Sequence, residues 1–375
     1  MKIAILDAIG SGFGPAEWGM IVVKESGGDL YCNRKSLFLR DHYDSSYQQL
    51  LPKDDSDAVE LLNLYDLIII SELHTTMDRK IPRYIKLLNA TTTPWTLMLH
   101  GLYYHKSGYI DQLFSSKNYL PVGITTHRSV ADRFELQHGI KLNDWIVLPL
   151  PYRLRAMKQV GTRTGPIVMT SRVESKKGQE LLMNIVDKID HDVYFPGATE
   201  QHPGGAYSAL LYDKLMITGY HPEVPIRRCS CQPWTMISPH GNTIKFDNGY
   251  CRDDLEQILS ASSVHVNLTK ASMCYGHWEY CSLEAMDYGL PIIVPQNLLM
   301  NELDFTYENI FTIVDHYTHR GYPYQQLIDC IRRTLNLTDE ERQTIATSYK
   351  KQLIAHHDPQ TYVRTILERL QNECR

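Results

Sequence analysis

The sequence has 375 residues, of which 43% are hydrophobic and 22% charged, and its formal net charge is −5. This length predicts two domains with sizeable cores. The mild acidity disfavours a nucleic-acid-binding protein that is basic throughout. It does not exclude a local basic patch that binds nucleic acid. The eight cysteines contain no C-x-x-C pair, which disfavours a disulfide scaffold and a structural metal site. We therefore expect reduced thiols and no metal.

No stretch approaches the roughly 20 apolar residues of a membrane span. The N-terminal apolar run is too short for a signal peptide and is interrupted by Asp7. We therefore expect a cytoplasmic monomer without a membrane partner.

Short apolar runs alternate with helical patterns from the N-terminus onwards. The first strands are predicted at 2–6, 66–71, 96–100, 122–127 and 145–150, and the helices between them at 16–26, 79–89 and 129–139. After a polar stretch at 153–166, the alternation resumes. Strands are predicted at 166–172, 193–197, 243–247, 263–268 and 309–314, and helices at 178–189, 206–215 and 252–262. A helix and a short strand are predicted within 277–294, and helical patterns at 325–335, 339–357 and 359–373 close the chain.

This alternation is typical of parallel sheets covered by helices on both faces. It predicts two doubly wound α/β domains, 1–155 and 156–350, followed by a C-terminal helical segment, 351–375, that packs back on the first domain. The segment 219–242 shows no assignable pattern. Because open parallel sheets bind ligands beyond the carboxyl ends of their strands, two facing domains predict a ligand in the cleft between them.

Two loops carry the features of a phosphate site. Gly10, Gly12 and Gly14 separate the first strand from a helix, where backbone N–H groups either approach a phosphate or simply form a tight turn. Their spacing is not G-x-G-x-x-G, which excludes a dinucleotide fingerprint and disfavours a dehydrogenase. Arg172 ends a predicted strand and Lys177 precedes the next helix. This pair either converges on one pyrophosphate or is solvated.

Acidic and imidazole side chains mark two further positions. Glu279 and Glu284 stand at the start of an otherwise apolar helix. They either accept hydrogen bonds from sugar hydroxyls or complement the helix dipole, an explanation that suits Glu279 better than Glu284. His100 ends a predicted strand at the ligand-binding edge, where it is either structural or part of the site.

Together, R-x-x-x-x-K-G at Arg172 to Gly178, E-Y-x-x-L-E at Glu279 to Glu284, the following G-x-P and the Gly-rich first loop resemble the retaining nucleotide-sugar glycosyltransferases of the GT-B fold. Within that class they are similar to the DNA α-glucosyltransferases of T-even bacteriophages. The wider family spaces its two glutamates eight residues apart, and Gly276 stands at that position here. The phage enzymes place an aspartate after the histidine, where this chain has Gly101.

The resemblance implies a role for each motif. Arg172 and Lys177 would hold the diphosphate of a UDP-sugar, by default UDP-glucose, and Glu284 the nucleotide ribose. Glu279 would lie near the sugar or phosphate, and His100 would contact the transferred sugar. The implied catalytic residues are His100, Arg172, Lys177 and Glu279. The implied donor-binding residues are Gly12, Phe13, Gly14, Arg172, Lys177, Glu279, Tyr280 and Glu284.

The resemblance also implies the acceptor, a hydroxymethylated pyrimidine in double-stranded DNA, with no cofactor required. The basic segments 79–86 and 153–163 either follow DNA phosphates or form a solvated helix face and a linker. The candidate acceptor-binding residues are Arg79, Lys80, Arg83, Tyr103 and His105. Two alternatives stay open: a GT-B enzyme acting on a cell-wall, lipopolysaccharide or other saccharide acceptor, and a non-catalytic module that binds nucleotides or nucleic acid.

Overall fold

A computed structural model describes most of the chain. The described residues are 1–7, 14–32, 48–71, 81–100, 108–155, 164–199, 201–202, 205–224, 232–250, 252–269, 279–296, 305–313 and 324–374. They form two α/β units, each built on one large sheet. None of the described helices is both long enough and apolar enough to cross a membrane.

The N-terminal sheet is entirely parallel in its described strands, in the order β3-β2-β1-β4-β5-β6-β7. The strands are β1 (Ile3–Asp7), β2 (Asp29–Cys32), β3 (Gln48–Leu50), β4 (Leu67–Ser71), β5 (Trp95–Leu99), β6 (Val122–Thr125) and β7 (Asp144–Val147). The helices are α1 (Gly14–Ser26), α2 (Asp55–Leu62), α3 (Ile81–Ala90), α4 (Gly108–Phe114) and α5 (Arg128–His138). The strand order reverses between β1 and β4, the position where doubly wound sheets form a crevice.

The C-terminal sheet has the order β12-β13-β14-β9-β8-β15-β16-β17. Its strands are β8 (Ile167–Val168), β9 (Val193–Phe195), β12 (His221–Pro222), β13 (Trp234–Ile237), β14 (Thr243–Phe246), β15 (Val264–Val266), β16 (Ile292–Pro295) and β17 (Phe311–Ile313); β10 (Gln201–His202) and β11 (Gly205–Ala206) form a separate hairpin. Because β9 lies on one side of β8 and β15 on the other, the strand order reverses between β8 and β15.

Helices cover this second sheet and close the chain. They are α6 (Gln179–Met183), α7 (Val186–Ile189), α8 (Tyr207–Ile217), α9 (Arg252–Ser260), α10 (Tyr280–Asp287), α11 (Tyr324–Leu335), α12 (Asp339–His356) and α13 (Pro359–Glu373). The last helix packs on the N-terminal unit: the indole of Trp18 in α1 donates to the Tyr362 hydroxyl at 2.7 Å, and Arg369 pairs with Asp144.

Helix α1 shows how the sequence produces this arrangement. Pro15 and Glu17 in the first turn and Lys24 in the last suit the two ends of a helix dipole. Its apolar residues occupy more than one face because α1 packs between its own sheet and α13. Trp18 has no exposed surface, and burying so large a side chain stabilises the fold by about 2–3 kcal/mol.

The predicted fold class of two doubly wound α/β units is confirmed by both sheets. One local prediction was wrong. The helix predicted at 178–189 is split into α6 and α7, because Ile185 adopts a non-helical backbone conformation. The segment 219–242 shows no pattern in the sequence, but its described residues include the antiparallel strands β12 and β13, which extend an otherwise parallel sheet.

Candidate functional site

The loop after β8 carries the predicted cationic pair. Arg172 is about one-third exposed, and its guanidinium lies 3.3 Å from the carboxylate of Glu174. The amide of Gln179, at the start of α6, donates to the carbonyl oxygen of Arg172 at 2.8 Å and fixes the loop. Arg172 therefore sits at the carboxyl end of a strand beside the sheet's point of reversal, and its guanidinium remains accessible to a ligand.

Lys177 lies in the same loop but is almost fully buried, with only 4% of its surface exposed. Its ammonium forms an ion pair with Glu279. Glu279 is the residue directly before α10, and its second oxygen accepts from Thr269 at 3.1 Å and from Asn267 at 3.3 Å. A buried charge needs this kind of compensation. The ion pair thus joins the loop after β8 to the loop after β15.

The glycine that follows Lys177, Gly178, is required by the backbone conformation and by the close packing at this position. Its φ is +79°, in the left-handed region that favours glycine. A Cβ at this position would lie 2.7 Å from the Leu268 Cβ and 2.9 Å from the Leu268 carbonyl oxygen. The two loops therefore approach so closely that only glycine fits, and this approach places Lys177 beside Glu279.

Glu284 lies one turn further into α10 and is 7% exposed. Its carboxylate is 3.6 Å from the guanidinium of Arg155, which also pairs with Glu17 in α1. Asp287, a turn beyond Glu284, accepts from the Arg155 backbone N–H at 2.7 Å and from the Tyr152 hydroxyl at 3.1 Å. Burial, with the nearby Asp287 carboxylate, holds the pKa of Tyr152 well above its usual range, so this phenol stays a neutral donor.

The N-terminal unit reaches this region through α1. A Cβ on Gly14, the first residue of α1, would lie 3.3 Å from the ring of Tyr280, the first residue of α10. The starts of the two helices are therefore neighbours across the units. His100, directly after β5, is 6% exposed. Its Nε2 lies 3.2 Å from the Ser71 hydroxyl and its ring packs edge-on against Trp18.

Two other titratable groups beside the site carry no charge near neutral pH. Burial lowers the pKa of His265 to about 3, although the Glu279 carboxylate opposes this effect, and the imidazole lies 3.1 Å from the Thr170 hydroxyl. Burial, reinforced by Glu279, raises the pKa of the Cys281 thiol well above its usual value. In the described residues no three His, Cys, Asp or Glu side chains cluster as metal ligands.

The structure brings Lys177 and Glu279 into direct contact. Arg172 lies in the same loop as Lys177, and Glu284 lies in α10, the helix that Glu279 directly precedes. Among the acceptor candidates, Arg83 forms an ion pair with Asp55 in α2. The other predicted residues lie outside the described part of the chain: Gly12, Phe13, Arg79, Lys80, Tyr103 and His105.

Sequence reasoning missed five polar residues of this region, namely Glu17, Arg155, Asn267, Thr269 and Asp287. Asn267 and Thr269 carried a usable signal, because they directly follow β15 at the point of strand reversal. Arg155 was interpreted as part of a basic segment, 153–163, whose residues 156–163 lie outside the described residues. Both arginines in the described part of this segment pair with α1, Arg153 with Glu25 and Arg155 with Glu17.

Two doubly wound units are typical of the GT-B fold, and solved structures of that fold match almost the whole chain. The Anabaena protein Alr3699/HepE in complex with UDP-glucose has 16% identity and a TM-score of 0.71, over 99% of this chain and 100% of that one. An alpha-glucosyltransferase (AGT) in complex with UDP has 15% identity and a TM-score of 0.67, over 100% of both chains.

The same alpha-glucosyltransferase has been solved with UDP-glucose and DNA containing an abasic site, and that structure matches with a TM-score of 0.67, at 15% identity and over 100% of both chains. The resemblance to the GT-B glycosyltransferases, including the DNA α-glucosyltransferases, is thus confirmed at the level of the fold. No protein-family model matches the sequence, and no curated protein sequence does.

Proposed function

We propose that this protein is a glycosyltransferase that uses a UDP-sugar, with UDP-glucose as the expected donor. The observation that carries the proposal is the contact between Lys177 and Glu279, which joins two loops at the strand reversal of the second sheet. Ligands of doubly wound sheets bind at that position. The fold neighbours solved with UDP or UDP-glucose support the same donor class.

In the proposed complex, Arg172 and Lys177 stabilise the diphosphate, and Glu284 accepts hydrogen bonds from the ribose hydroxyls. In the structure, the Lys177 ammonium pairs with Glu279. A bound diphosphate would share the positive charge of Lys177 with Glu279. Glu279 and Tyr280 then lie beside the phosphate and the sugar, with Gly14 and His100 facing them from the N-terminal unit. The charge that grows on the leaving diphosphate is stabilised by cations already in place, and such pre-organised stabilisation is usually the largest single contribution to catalysis.

The proposed reaction proceeds with retention at the anomeric carbon. The bond from that carbon to the diphosphate oxygen breaks, and a bond to the acceptor hydroxyl oxygen forms on the same face. The hydroxyl proton passes to the departing diphosphate, so the products are a glycoside and UDP. Positioning and charge stabilisation suffice for such a step, and two cationic side chains supply the charge without a cofactor.

For the acceptor, we propose the hydroxymethyl group of a modified pyrimidine in double-stranded DNA. The support is the sequence resemblance in the R…KG and E…E motifs and the fold neighbour that was solved with DNA. Such a hydroxyl is reached by flipping the base or through a groove.

A second candidate is a saccharide acceptor, and the reason to test it is an observation that weakens the case for DNA. In the described parts of the two basic segments, four cations form intramolecular pairs: Arg83 and Lys86 with Asp55, Arg153 with Glu25, and Arg155 with Glu17. A cation that is already paired gains less from a DNA phosphate, because its own carboxylate competes.

The two acceptors are distinguished by measuring UDP release from UDP-glucose with duplex DNA containing hydroxymethylcytosine, with unmodified duplex, and with a panel of oligosaccharides. EDTA in parallel reactions tests the independence from metal. Stimulation by the modified duplex alone, with glucose recovered on the base, is the expected result. Stimulation only by a saccharide would replace the DNA acceptor, and no UDP release or UDP binding under any condition would refute the glycosyltransferase.

A further inference from the structure

Arg155 lies where the chain passes from the first unit to the second, and it contacts acidic residues of both. Its guanidinium pairs with Glu17 in α1 and lies 3.6 Å from Glu284 in α10. Its backbone N–H donates to Asp287 in α10 at 2.7 Å. The side chain is 24% exposed. One arginine therefore links the first helix of the N-terminal unit to the helix that carries the candidate ribose-binding carboxylate.

The charges around it make this link more than a surface ion pair. Glu17, Glu284 and Asp287 are 3%, 7% and 7% exposed. The first two carboxylates meet at the Arg155 guanidinium, and Asp287 accepts from the Arg155 backbone N–H. Buried carboxylates require compensation. The planar guanidinium fork can serve two carboxylates at once with fixed geometry, whereas a lysine ammonium acts as a point charge.

This arrangement has a consequence for the donor, on the condition that the proposed function holds. A carboxylate that accepts hydrogen bonds from ribose hydroxyls has to be ionised and held in one orientation before the nucleotide arrives. Pre-organisation of this kind raises affinity because less freedom is lost on binding. The Arg155 guanidinium places a positive charge 3.6 Å from the Glu284 carboxylate, and its second contact, with Glu17, links this ion pair to α1.

We propose that Arg155 is a positioning residue for the nucleotide: it holds Glu284 ready for the ribose hydroxyls and couples that carboxylate to the N-terminal unit through Glu17. A residue with this role affects selectivity for the ribose, whereas a residue needed only for folding lowers stability without changing that selectivity.

The test uses isothermal titration calorimetry of the full chain with UDP, 2′-deoxy-UDP and 3′-deoxy-UDP. The variants are Arg155→Met, Arg155→Lys and, as a positive control, Glu284→Gln. Glu25→Gln is the matched control, because Glu25 also lies in α1 and also pairs with an arginine that follows β7, Arg153.

The wild type is expected to prefer UDP over at least one deoxy analogue by about 10- to 100-fold, the range for losing a hydrogen bond to a charged group. Arg155→Met is expected to reduce that preference to less than about threefold, Arg155→Lys to an intermediate value, and Glu25→Gln to leave it unchanged. If Arg155→Met does not fold, Arg155→Lys alone decides the question.

The proposal is overturned if the Arg155 variants keep the wild-type preference while Glu284→Gln loses it. A wild type that binds no UDP overturns the proposed function as well. A Glu284→Gln variant that keeps the preference removes Glu284 from the ribose site, and the positioning role of Arg155 fails with it.

Discussion

The close approach of the two donor loops makes Gly178→Ala the most informative stability variant. The substitution adds one methyl group to a residue whose φ is +79°, at a point where that methyl would lie 2.7 Å from the Leu268 Cβ and 2.9 Å from its carbonyl oxygen. Neither neighbour is the far end of a flexible side chain, so the backbone of one loop has to move.

The magnitude follows from two separate effects. A left-handed conformation costs a residue with a Cβ roughly 1–2 kcal/mol. Overpacking of a tight contact costs about 1–3 kcal/mol more. Gly178→Ala is therefore expected to lower the free energy of unfolding by about 2–5 kcal/mol, and because Lys177 precedes Gly178, it should also weaken UDP binding.

The matched control is Gly139→Ala at the end of α5. Gly139 has a φ of +66°, but a Cβ there would meet nothing within 4 Å. It should lose only the conformational part, roughly 1–2 kcal/mol, with UDP affinity unchanged. Urea unfolding of both variants measures the difference in the free energy of unfolding, provided that the slope of that free energy against urea concentration is the same in both. Equal losses of stability in the two variants would refute the close-approach argument.

Three further predictions follow from the site and from the joint between the units. Lys177→Met is expected to lower kcat/KM for the donor about 100- to 1,000-fold, as for the loss of a single transition-state contact, and to destabilise the fold by leaving Glu279 without its ammonium partner. Gly14→Ala should raise KM for the donor severalfold with little loss of stability, because its Cβ would meet the Tyr280 ring at 3.3 Å. Burial lowers the pKa of His357 to about 4. The stability that this neutral imidazole contributes should therefore be fully present above pH 6.5 and be lost, by about 3 kcal/mol in total, as the pH falls through 4.

Each of these has a result that would contradict it. Steady-state kinetics showing wild-type kcat/KM for Lys177→Met would remove the ammonium from the donor site. An unchanged donor KM for Gly14→Ala would separate α1 from it. For the histidine, urea midpoints of the wild type and His357→Gln are compared between pH 7 and pH 4. Identical pH slopes for the two proteins would show that His357 does not contribute.

The sequence predicted those features that depend on order along the chain. The alternation of strands and helices located both sheets. The positions of Lys177 after a predicted strand and of Glu279 at the start of an apolar helix marked these two residues as site candidates. Shorter elements escaped detection: β2 and β3 have four and three residues, too few to show a hydrophobic period. Helix α2 carried a signal that was not used, since Asp54 caps it by accepting from the Ser56 and Asp57 N–H groups.

Contacts between residues that are far apart along the chain could not be predicted from the sequence. Arg155 and Glu17 are 138 positions apart, and nothing in either local sequence indicates that α1 and α10 meet. Without that information, the sequence leaves two alternatives for the arginines after β7, contact with DNA phosphates or a solvated linker. In the structure, Arg153 pairs with Glu25 and Arg155 with Glu17, both in α1.

The central claim is that one activated sugar lies between the cations after β8 and the carboxylates of α10. A crystal structure with bound UDP-glucose tests this claim most directly. We expect diphosphate oxygens within hydrogen-bonding distance of the Arg172 guanidinium and the Lys177 ammonium, and ribose hydroxyls donating to Glu284. A nucleotide bound elsewhere, with these three side chains turned away from it, would contradict the account.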